Sequence, residues 1–370
     1  MAVTEAFIYR SRLSANIRIL KERSGVPLCI ALKANAYGHG AVEVARTAMQ
    51  EGVDTFGFAR LSEAVQLEEA GLKARSIMYS VLGDDEIGEA LARGYELFVC
   101  DGEYLDVIEA EAQKLYHEQG RMARVHIKVD TGMHRLGVDA DSAIALAQRA
   151  SESTCLEIAG VCTHFPVADS PAEAFTSVQI RELSSAVDEM RRRGIDPGCV
   201  HAANSAGVFY HPGSRFGMTR PGISVYGYPP DDTDGSLSLS PVMEFRSTVV
   251  QVKKLKAGEA VSYGLTETVP RDTYIAVIAA GYADGYSRAF SSKGRVAIGD
   301  AAYKVIGRVC MDQCVVDVGA DCRVRRGDTA VLFGPEPPAE SAADLAKIAG
   351  TISYEITCNV SARVPRVYID

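Results

Sequence analysis

The sequence predicts a (β/α)₈ barrel followed by a second domain made mostly of β-strands. From residue 26 to about residue 226, short apolar segments alternate with longer segments whose apolar residues recur at helical spacing. At residue 229 a polar, turn-rich stretch begins (PPDDTDGSLSLSP), and the segments after it are rich in β-forming residues. Because 370 residues exceed what a single hydrophobic core usually supports, we expect two domains.

Eight short, nearly continuous apolar segments in the first part of the chain are the predicted barrel strands. They are Val26–Leu32, Thr55–Ala59, Ser76–Val81, Glu96–Cys100, Arg124–Val129, Ile158–Thr163, Cys199–Ala203 and a last one near Gly222–Tyr226. Strands of this kind are typical of parallel sheets that are buried on both faces. Their eightfold alternation with helices favours a barrel, and a doubly wound open sheet is the alternative.

Apolar residues at helical spacing predict the helices between these strands. The predicted helices are Ala41–Glu51, Ser62–Ala70, Tyr104–Glu118, Ala140–Ala150 and Ala174–Arg193. For the second domain we predict five strands and one helix, namely Val242–Val252, Ile275–Ala280, Arg295–Ile298, Ala302–Ile306, Ala330–Phe333 and the helix Ser341–Ala349. The expected domains are residues 8–232 and residues 233–370, with residues 1–7 as a candidate addition to the second.

Composition and charge narrow the class of protein. The chain is 47% hydrophobic and 24% charged with a net charge of −9, which argues against a nucleic-acid or anionic-membrane partner. The N-terminus lacks the apolar core of a signal peptide, and no stretch approaches the roughly 18 apolar residues of a membrane span. Nine cysteines without zinc-like spacing indicate free thiols rather than disulfides or a metal site. We therefore expect a cytoplasmic protein without a bound metal.

Polar side chains gather where the predicted strands end. In a barrel the carboxyl ends of the strands meet at one rim, where active sites are built. The residues at these ends are Lys33, Lys128, Asp130, His164, Asn204, Ser205 and Arg220. Each of them alone is compatible with a solvated or hydrogen-bonded side chain, but several on one rim indicate a functional site.

Lys33 indicates the chemistry of that site. It ends an apolar strand, and partial burial lowers the pKa of a lysine and favours the neutral amine that attacks carbonyl groups. Pyridoxal 5′-phosphate is the common partner of such a lysine, and it also needs a phosphate site and a group facing its ring nitrogen. The segments AANSAG (202–207) and RPGI (220–223) are candidates for the phosphate site. Nucleotide, zinc-peptidase and serine-hydrolase motifs are not recognisable.

The chain resembles the alanine racemase family from end to end. The resemblance is carried by nine motifs in family order: ALKANAYGHG, HIKVDTGMHRLG, the His164 segment, HAANSAG, RPGISVYG, AVSYGLT, GYADGYSR, GRVCMDQ and TISYEITCNVSARVPRVY. It implies a pyridoxal-phosphate enzyme that interconverts L- and D-alanine and supplies D-alanine for peptidoglycan. It also implies a head-to-tail homodimer with shared active sites.

The resemblance also implies the residues of the site. Cofactor-binding residues would be Lys33, Tyr37, His164, Asn204, Ser205, Arg220, Gly222, Ile223 and Tyr354. Catalytic residues would be Lys33, Tyr263, His164 and Arg220. Substrate contacts or entrance residues would be Lys128, Arg135, Tyr282, Cys310 and Met311. Lys33 would hold the cofactor covalently, and Lys128 would be carbamylated beside Arg135.

Racemisation requires one proton-transfer group on each face of the cofactor plane, and the family pattern assigns Lys33 and Tyr263 to these roles. A tyrosine ordinarily titrates near pH ~10, so Tyr263 needs a positive neighbour, which a chain through His164 and Arg220 is expected to supply. Arg220 facing the ring nitrogen would donate a hydrogen bond without releasing its proton. This should keep the carbanion short-lived and suppress transamination.

Other functions remain open at this point. A serine or broad-specificity racemase on the same scaffold is the nearest alternative, because Pro166 stiffens the loop after His164 and would alter substrate preference if that loop touches the substrate. A pyridoxal-dependent decarboxylase fits less well. A non-catalytic pyridoxal-binding protein would have little use for Tyr263. Cys310 is expected to pack near the site rather than to act as a nucleophile. For Lys128 the alternative to carbamylation is an ordinary ion pair with Asp130 or another carboxylate.

Overall fold

A computed structural model describes residues 4–172, 174–231 and 235–370. Its first domain is built on seven parallel strands that pair in sequence order. These strands are Cys29–Ala31, Thr55–Phe58, Arg75–Met78, Glu96–Val99, Ala123–Lys128, Leu156–Cys162 and Cys199–His201. Each of them overlaps a predicted strand, and most of their residues are buried, as expected for strands that are covered on both faces.

The barrel closes through an extended segment rather than through a regular eighth strand. The predicted strand near Gly222–Tyr226 is wrong, because Ile223–Tyr226 is a short 3₁₀ helix. The segment just before it occupies the eighth position: the Thr219 carbonyl accepts from the Cys29 amide at 2.8 Å, and the Arg220 amide donates to the Ala203 carbonyl at 2.7 Å. The pairing still reaches Pro221, whose carbonyl accepts from the Ala31 amide at 3.0 Å, but Pro221 has no N–H to donate in return. The expectation of a barrel fold is confirmed.

Helices surround the strands and include all five that were predicted. The helices of the first domain are Arg10–Ser24, Lys33–Tyr37, Ala41–Gln50, Leu61–Glu69, Asp84–Ala92, Gly102–Gln119, Ala140–Glu152, Phe175–Arg192 and Ser205–Tyr210, with a 3₁₀ turn at Pro212–Ser214. Gly102–Gln119 illustrates why they form: the Asp101 side chain caps the first turn by accepting from the Tyr104 amide, and Ile108, Ala112 and Leu115 are buried along one face.

The second domain is organised around an eight-stranded sheet. Its strands include Met243–Leu255, Thr273–Ile278, Arg295–Ile298, Ala301–Lys304, Cys314–Gly319, Thr329–Phe333 and Arg366–Ile369, and the helices Ala342–Ala349 and Ser353–Cys358 follow the sixth of these. A two-stranded ribbon pairs Ala260–Val261 with Glu267–Thr268. Short 3₁₀ turns lie at Tyr263–Leu265 and Arg288–Phe290.

The N-terminal strand Glu5–Tyr9 belongs to this second sheet. It pairs antiparallel with Met243–Leu255 and parallel with Arg366–Ile369. The chain therefore starts in the second sheet, builds the barrel, and returns. The predicted boundary between residues 232 and 233 lies outside the described residues and stays a prediction.

Within the described residues, no helix is both long and apolar enough to cross a membrane.

Candidate active site

The carboxyl ends of the barrel strands open into a cavity of about 700 Å³, called here the rim cavity. Eleven of the sequence-predicted site residues line it: Lys33, Tyr37, Lys128, Arg135, His164, Asn204, Ser205, Arg220, Gly222, Ile223 and Tyr354. The second domain of the same chain contributes one wall through residues 351–358. Six of the seven polar strand-end residues expected to share one rim therefore line the cavity, whereas Asp130 is not among the described residues that line it.

The other four predicted residues form a separate, exposed cluster on the second domain. Tyr263, Tyr282 and Met311 are 72%, 43% and 53% exposed, and none of them, nor Cys310, is among the described residues that line the rim cavity. The Tyr282 amide donates to the Cys310 carbonyl at 3.0 Å, and Ser262, which precedes Tyr263, contacts Sγ of Cys310 through its hydroxyl at 3.4 Å. Within one chain, the residues predicted to supply the two proton-transfer groups therefore lie in different places.

Lys33 is presented by an unusual turn of the backbone. The four residues after it, Ala34 to Tyr37, all have φ between 53° and 55°, in the left-handed helical region. This conformation costs an L-amino acid roughly 1–2 kcal/mol per residue, so the surrounding structure must hold it. A strained segment directly after the reactive lysine is typical of functional sites.

Hydrogen bonds at both ends hold the left-handed turn. The Ala34 amide donates to the Glu63 carboxylate at 2.6 Å, and the same carboxylate accepts from the Ala59 amide at 2.9 Å. At the other end, the Asn35 side chain accepts from the Ala41 amide at 2.9 Å. Glu63 thus ties the turn to the end of the neighbouring strand and fixes the point from which Lys33 extends.

The electrostatic surroundings of Lys33 favour its neutral form. Burial, followed by the positive charge of Arg135, lowers the pKa of the Lys33 amine. A neutral amine is the form that adds to an aldehyde. The sequence-based argument for a partly dry strand-end lysine therefore agrees with the structure.

A small cradle lies beside the left-handed turn, formed by Ser205, Gly222 and Tyr37. The Ser205 hydroxyl accepts from the Gly222 amide at 2.9 Å and from the Ser224 amide at 3.4 Å. A Cβ on residue 222 would lie 2.6 Å from the Tyr37 hydroxyl oxygen, so only glycine leaves this space open. Burial raises the pKa of Tyr37, which keeps its hydroxyl protonated and able to donate. The residues fit a phosphate group.

Asn204 stabilises the start of the helix that carries Ser205. Its side-chain oxygen accepts from the Gly207 amide at 2.9 Å, and its amide nitrogen donates to the Phe165 carbonyl at 3.4 Å. It therefore caps the helix that carries Ser205 and ties it to the loop after His164.

Arg220 lines the cavity and is buried, with 6% of its surface exposed. Its Nη1 donates to Nδ1 of His201 at 2.5 Å, and its Nη2 donates to the Thr163 carbonyl at 2.6 Å and to the Ala202 carbonyl at 3.1 Å. These bonds use Nη1 and Nη2 and leave Nε as a donor for a group in the cavity. A guanidinium stays protonated at all physiological pH values.

His164 is close to Arg220, but their contact is long. Nη2 of Arg220 and Nδ1 of His164 are 3.5 Å apart, at the limit of a hydrogen bond. Burial, with the positive charge of Arg220 next in importance, lowers the pKa of His164 well below its usual value, so the ring is neutral. Arg220 and His164, the first two residues of the predicted bridge, therefore lie next to each other. The contact of His164 with Tyr263 stays a prediction.

Lys128 makes no ion pair among the described residues. Its Nζ donates to the Val129 carbonyl at 3.2 Å, and burial lowers the pKa of this amine. The carboxylate of Asp130 instead accepts from the backbone amides of Gly132 and His134, each at 3.0 Å. The described residues therefore show no close Lys128–Asp130 ion pair.

Sequence reasoning missed part of the cavity wall. Residues not singled out include Tyr79, Phe98, Met133, Leu136, Glu355 and Cys358. They are mostly apolar or aromatic, and such residues are indistinguishable from core residues until the fold is known. Pro166 would alter substrate preference only if the loop after His164 touches the substrate. It is exposed and is not among the described residues that line the cavity.

A buried polar chain behind Arg220 was missed as well. His201 donates or accepts at Nε2 with Nδ1 of His126 at 2.9 Å, and Nε2 of His126 contacts the Glu96 carboxylate at 2.7 Å. Both histidines occur in the motifs quoted above: His126 lies within the strand Ala123–Lys128, and His201 ends the strand Cys199–His201. A histidine on a buried barrel strand was the available signal.

Comparison with known proteins identifies the family. A family model described as "Alanine racemase, N-terminal domain" matches residues 8–230, and "Alanine racemase, C-terminal domain" matches residues 242–368. An alanine racemase of Treponema denticola is 43% identical over 380 aligned positions, which cover 100% of this chain and 99% of the relative.

Solved structures agree with this. An alanine racemase from a D-cycloserine-producing Streptomyces lavendulae is 34% identical with a TM-score of 0.93, covering 100% of this chain and 98% of that one. An alanine racemase from Bacillus anthracis, solved with bound L-Ala-P, is 30% identical with a TM-score of 0.91, covering 100% and 96%. The barrel, its rim cavity and these relatives define an isomerase. The chain belongs to the alanine racemase family.

Proposed function

We propose that this protein interconverts L- and D-alanine, using pyridoxal 5′-phosphate bound in the rim cavity and two proton-transfer groups from different subunits. The observation that carries the proposal is the position of Lys33: a partly buried amine of lowered pKa faces a cavity that also holds the Gly222 cradle and Arg220. The family relationship supports the same activity.

The residues of the cavity fit this cofactor at three points. Lys33 would hold it covalently, the cradle of Ser205, Gly222 and Tyr37 would receive its phosphate, and Arg220 would donate to its ring nitrogen. When bound, pyridoxal phosphate supplies an electron sink that makes the α-hydrogen of an amino acid acidic. Because Arg220 donates a hydrogen bond without giving up its proton, it limits the strength of that sink and favours reprotonation over side reactions.

Proton transfer on both faces requires a second group besides Lys33. We assign this role to Tyr263 of a second copy of the chain, because Tyr263 is 72% exposed and lies outside the rim cavity of its own chain. The same exposed cluster would bring Tyr282, Cys310 and Met311 to the partner's cavity. A head-to-tail homodimer would then complete each site.

The substrate is proposed to be a small amino acid. Arg135 is exposed at the cavity and carries a positive charge suited to the substrate carboxylate. Lys128 is proposed to be carbamylated, since a buried amine of lowered pKa without a carboxylate partner can add carbon dioxide and lose a proton. We further propose that the enzyme works in the cytoplasm, which suits its nine free cysteines, and supplies D-alanine for peptidoglycan.

The first experiment measures racemisation directly. Purified protein with pyridoxal phosphate is incubated with L-alanine, and D-alanine formation and exchange of the α-hydrogen with deuterated water are followed. Lys33→Ala and Tyr263→Phe should each nearly abolish racemisation, whereas Tyr116→Phe, a change of an exposed tyrosine on a barrel helix, should have no effect. Full turnover by the Tyr263→Phe protein would remove the two-base mechanism. Faster turnover of L-serine than of L-alanine would favour the serine racemase alternative.

Mixing the two inactive variants tests whether the site is shared. In a hybrid dimer of Lys33→Ala and Tyr263→Phe chains, one site would contain both intact residues and the other would contain neither. After unfolding and refolding an equal mixture, about a quarter of the wild-type activity should return, because half of the dimers are hybrids with one working site each. A mixture that stays inactive although it has formed hybrid dimers would show that both groups must come from one chain.

A further inference from the structure

Three hydrogen bonds connect Arg220 at the rim cavity with Glu96 at the opposite end of the barrel. Arg220 contacts His201 at 2.5 Å, His201 contacts His126 at 2.9 Å, and His126 contacts Glu96 at 2.7 Å. All four side chains are buried, with exposures of at most 6%. Glu96 is the first residue of its strand, so the chain runs the length of the barrel interior.

The hydrogen-bonded series of side chains from Arg220 to Glu96 passes over the strand Leu156–Cys162 at Gly160. His126 and His201 lie on the two strands that flank it, and a Cβ on Gly160 would lie 2.5 Å from Nδ1 of His126, the atom that bonds to His201. A larger residue at position 160 would therefore collide with the bonded atom. The absence of a side chain at this point leaves the space that the histidine pair occupies.

The chemistry of the two ends fixes the direction of every bond. A guanidinium has only donors, so Nδ1 of His201 must accept from Arg220, and its Nε2 must then carry a hydrogen and donate to Nδ1 of His126. An ionised carboxylate has only acceptors, so Nε2 of His126 must donate to Glu96. Both rings are consequently neutral and each holds one defined tautomer. Burial lowers the pKa of both histidines, which agrees with neutral rings.

Glu96 is held as a carboxylate by two arginines at the far end of the barrel. Arg75 donates to both of its oxygens at 2.7 Å, and Arg124 donates at 2.9 Å. Burial alone would raise the pKa of Glu96, but hydrogen bonds from His126 and Arg75 outweigh it and lower the pKa overall. A fixed acceptor therefore terminates the chain. Because the arginine at the other end does not release its proton, the chain holds orientation and does not conduct protons.

We propose that Glu96 is a positioning residue for Arg220: acting through the fixed tautomers of His126 and His201, it holds the guanidinium so that Nε–H faces the cavity. This rests on the proposed function in one respect, namely that the group facing Nε is the ring nitrogen of pyridoxal phosphate. Without the Glu96 carboxylate, His126 can exchange its tautomer; His201 can then do the same and present its Nδ1–H to the guanidinium. Arg220 would then lose an acceptor and rotate.

The experiment compares Glu96→Gln, Glu96→Asp and His126→Asn with Glu157→Gln as the matched control. Glu157 is a carboxylate on a nearby strand that also pairs with Arg124, and among the described residues it does not bond to a histidine. In cofactor-free protein with ¹⁵N-labelled histidine, the wild type and Glu157→Gln should show solvent-protected Nε2–H signals for both His126 and His201. Glu96→Gln and His126→Asn should lose or shift the signal of His201. This measurement does not depend on catalysis.

With cofactor, Glu96→Gln and His126→Asn should lower kcat about tenfold while the KM for alanine stays within about twofold, because the substrate carboxylate contacts are untouched. Their visible absorption maximum and their affinity for pyridoxal phosphate should also change, and Glu96→Asp should recover part of each effect. His126→Asn leaves the Glu96–arginine cluster intact and so serves if Glu96→Gln fails to fold.

Two outcomes would overturn the proposal. The first is a His201 signal that is unchanged in a folded Glu96→Gln or His126→Asn protein. The second is a reduced yield of active protein whose kcat per bound cofactor and visible spectrum are unaltered. That result would indicate a purely structural role. A wild-type protein that binds cofactor but does not racemise alanine would refute the proposed function instead, and the histidine signals would still test the chain.

Discussion

The hydroxyl oxygen of Tyr37 lies 2.6 Å from the point that a Cβ on Gly222 would occupy. Tyr37 cannot move away easily, because the centroid of its ring lies 4.9 Å from that of Tyr226 and 6.0 Å from that of Tyr354. We therefore expect Gly222→Ala to weaken the binding of pyridoxal phosphate by about tenfold or more, which corresponds to about 1.4 kcal/mol. Titration of cofactor-free protein followed by absorbance measures this. Gly213→Ala is the control, since nothing lies within 4 Å of its Cβ, and equal affinities of the two variants would contradict the cradle.

The pKa of Lys33 is lowered by burial and then by Arg135, which predicts a pH effect with a definite sign. Removing the positive charge in Arg135→Gln should raise the pKa of Lys33, so less neutral amine is present near pH 7. The midpoint of the pH profile for covalent attachment of pyridoxal phosphate should move to higher pH, as measured by stopped-flow absorbance on cofactor-free protein. Arg135→Lys keeps the charge and should keep the wild-type midpoint. A midpoint that moves to lower pH in Arg135→Gln would mean that the interaction is misassigned.

Buried histidines predict that the cofactor-free protein loses stability in mild acid. Burial lowers the pKa of His39 to about 4, and His126, His164 and His201 are shifted in the same direction. The unfolded chain binds protons at these sites below pH ~6.5 while the folded chain does not. Their contribution is therefore present above pH ~6.5 and declines as the pH falls, by about 1.4 kcal/mol per pH unit for each such histidine.

Urea unfolding at several pH values between 7.5 and 5 measures this decline. The exposed residue His117 provides the control, and His117→Gln should leave the pH dependence as it is in the wild type. A midpoint that does not change between pH 7 and pH 5.5 would count against neutral buried histidines.

The left-handed turn predicts that a glycine substitution within it affects stability differently from a glycine substitution in an ordinary helix. Ala34 and Ala110 are both exposed, but Ala34 has φ of 53° and Ala110 lies within the right-handed helix Gly102–Gln119. Ala110→Gly should destabilise the protein by about 1 kcal/mol, the usual cost in a helix interior. Ala34→Gly should cost clearly less or stabilise the protein, since glycine relieves a strain of roughly 1–2 kcal/mol. Urea unfolding of both variants gives the comparison, and an equal loss in both would indicate an unstrained turn.

Pro166 is predicted to have little influence on substrate choice. It is exposed and lies outside the set of described residues lining the cavity. Pro166→Ala should therefore leave the ratio of kcat/KM for L-alanine over L-serine within about twofold of the wild type. A tenfold change would revive the idea that this loop touches the substrate.

The barrel strands could be predicted because burial on both faces makes them short, continuous apolar segments. Thr55–Phe58 and Glu96–Val99 have no exposed residue, and the sequence contains a matching apolar run for each. The eighth position could not be read in this way, because Thr219 and Arg220 pair without a regular strand and the apolar run after them forms a 3₁₀ helix. Cys314–Gly319 was missed since only alternate residues are buried there and Asp317 interrupts the pattern.

For the site, the sequence indicated which residues lie at strand ends, but it did not indicate which side chains bond to one another. Lys33 and Arg220 stand at strand ends, so the sequence indicated that they share a rim. The His126–His201 contact crosses an intervening strand and joins residues 75 positions apart, so its existence depends on the curvature of the closed sheet. The left-handed conformation of residues 34–37 was equally unreadable, because alanine and tyrosine rarely adopt it.

The strand Glu5–Tyr9 is synthesised about 240 residues before its antiparallel partner, Met243–Leu255. At about 5–20 residues per second, the nascent strand waits on the order of 10–50 s with its edges unpaired. Throughout that interval the barrel can fold while its own leading segment stays available to chaperones or to the wrong neighbour. Formation of the second sheet thus has to wait until the strand Arg366–Ile369 has been synthesised.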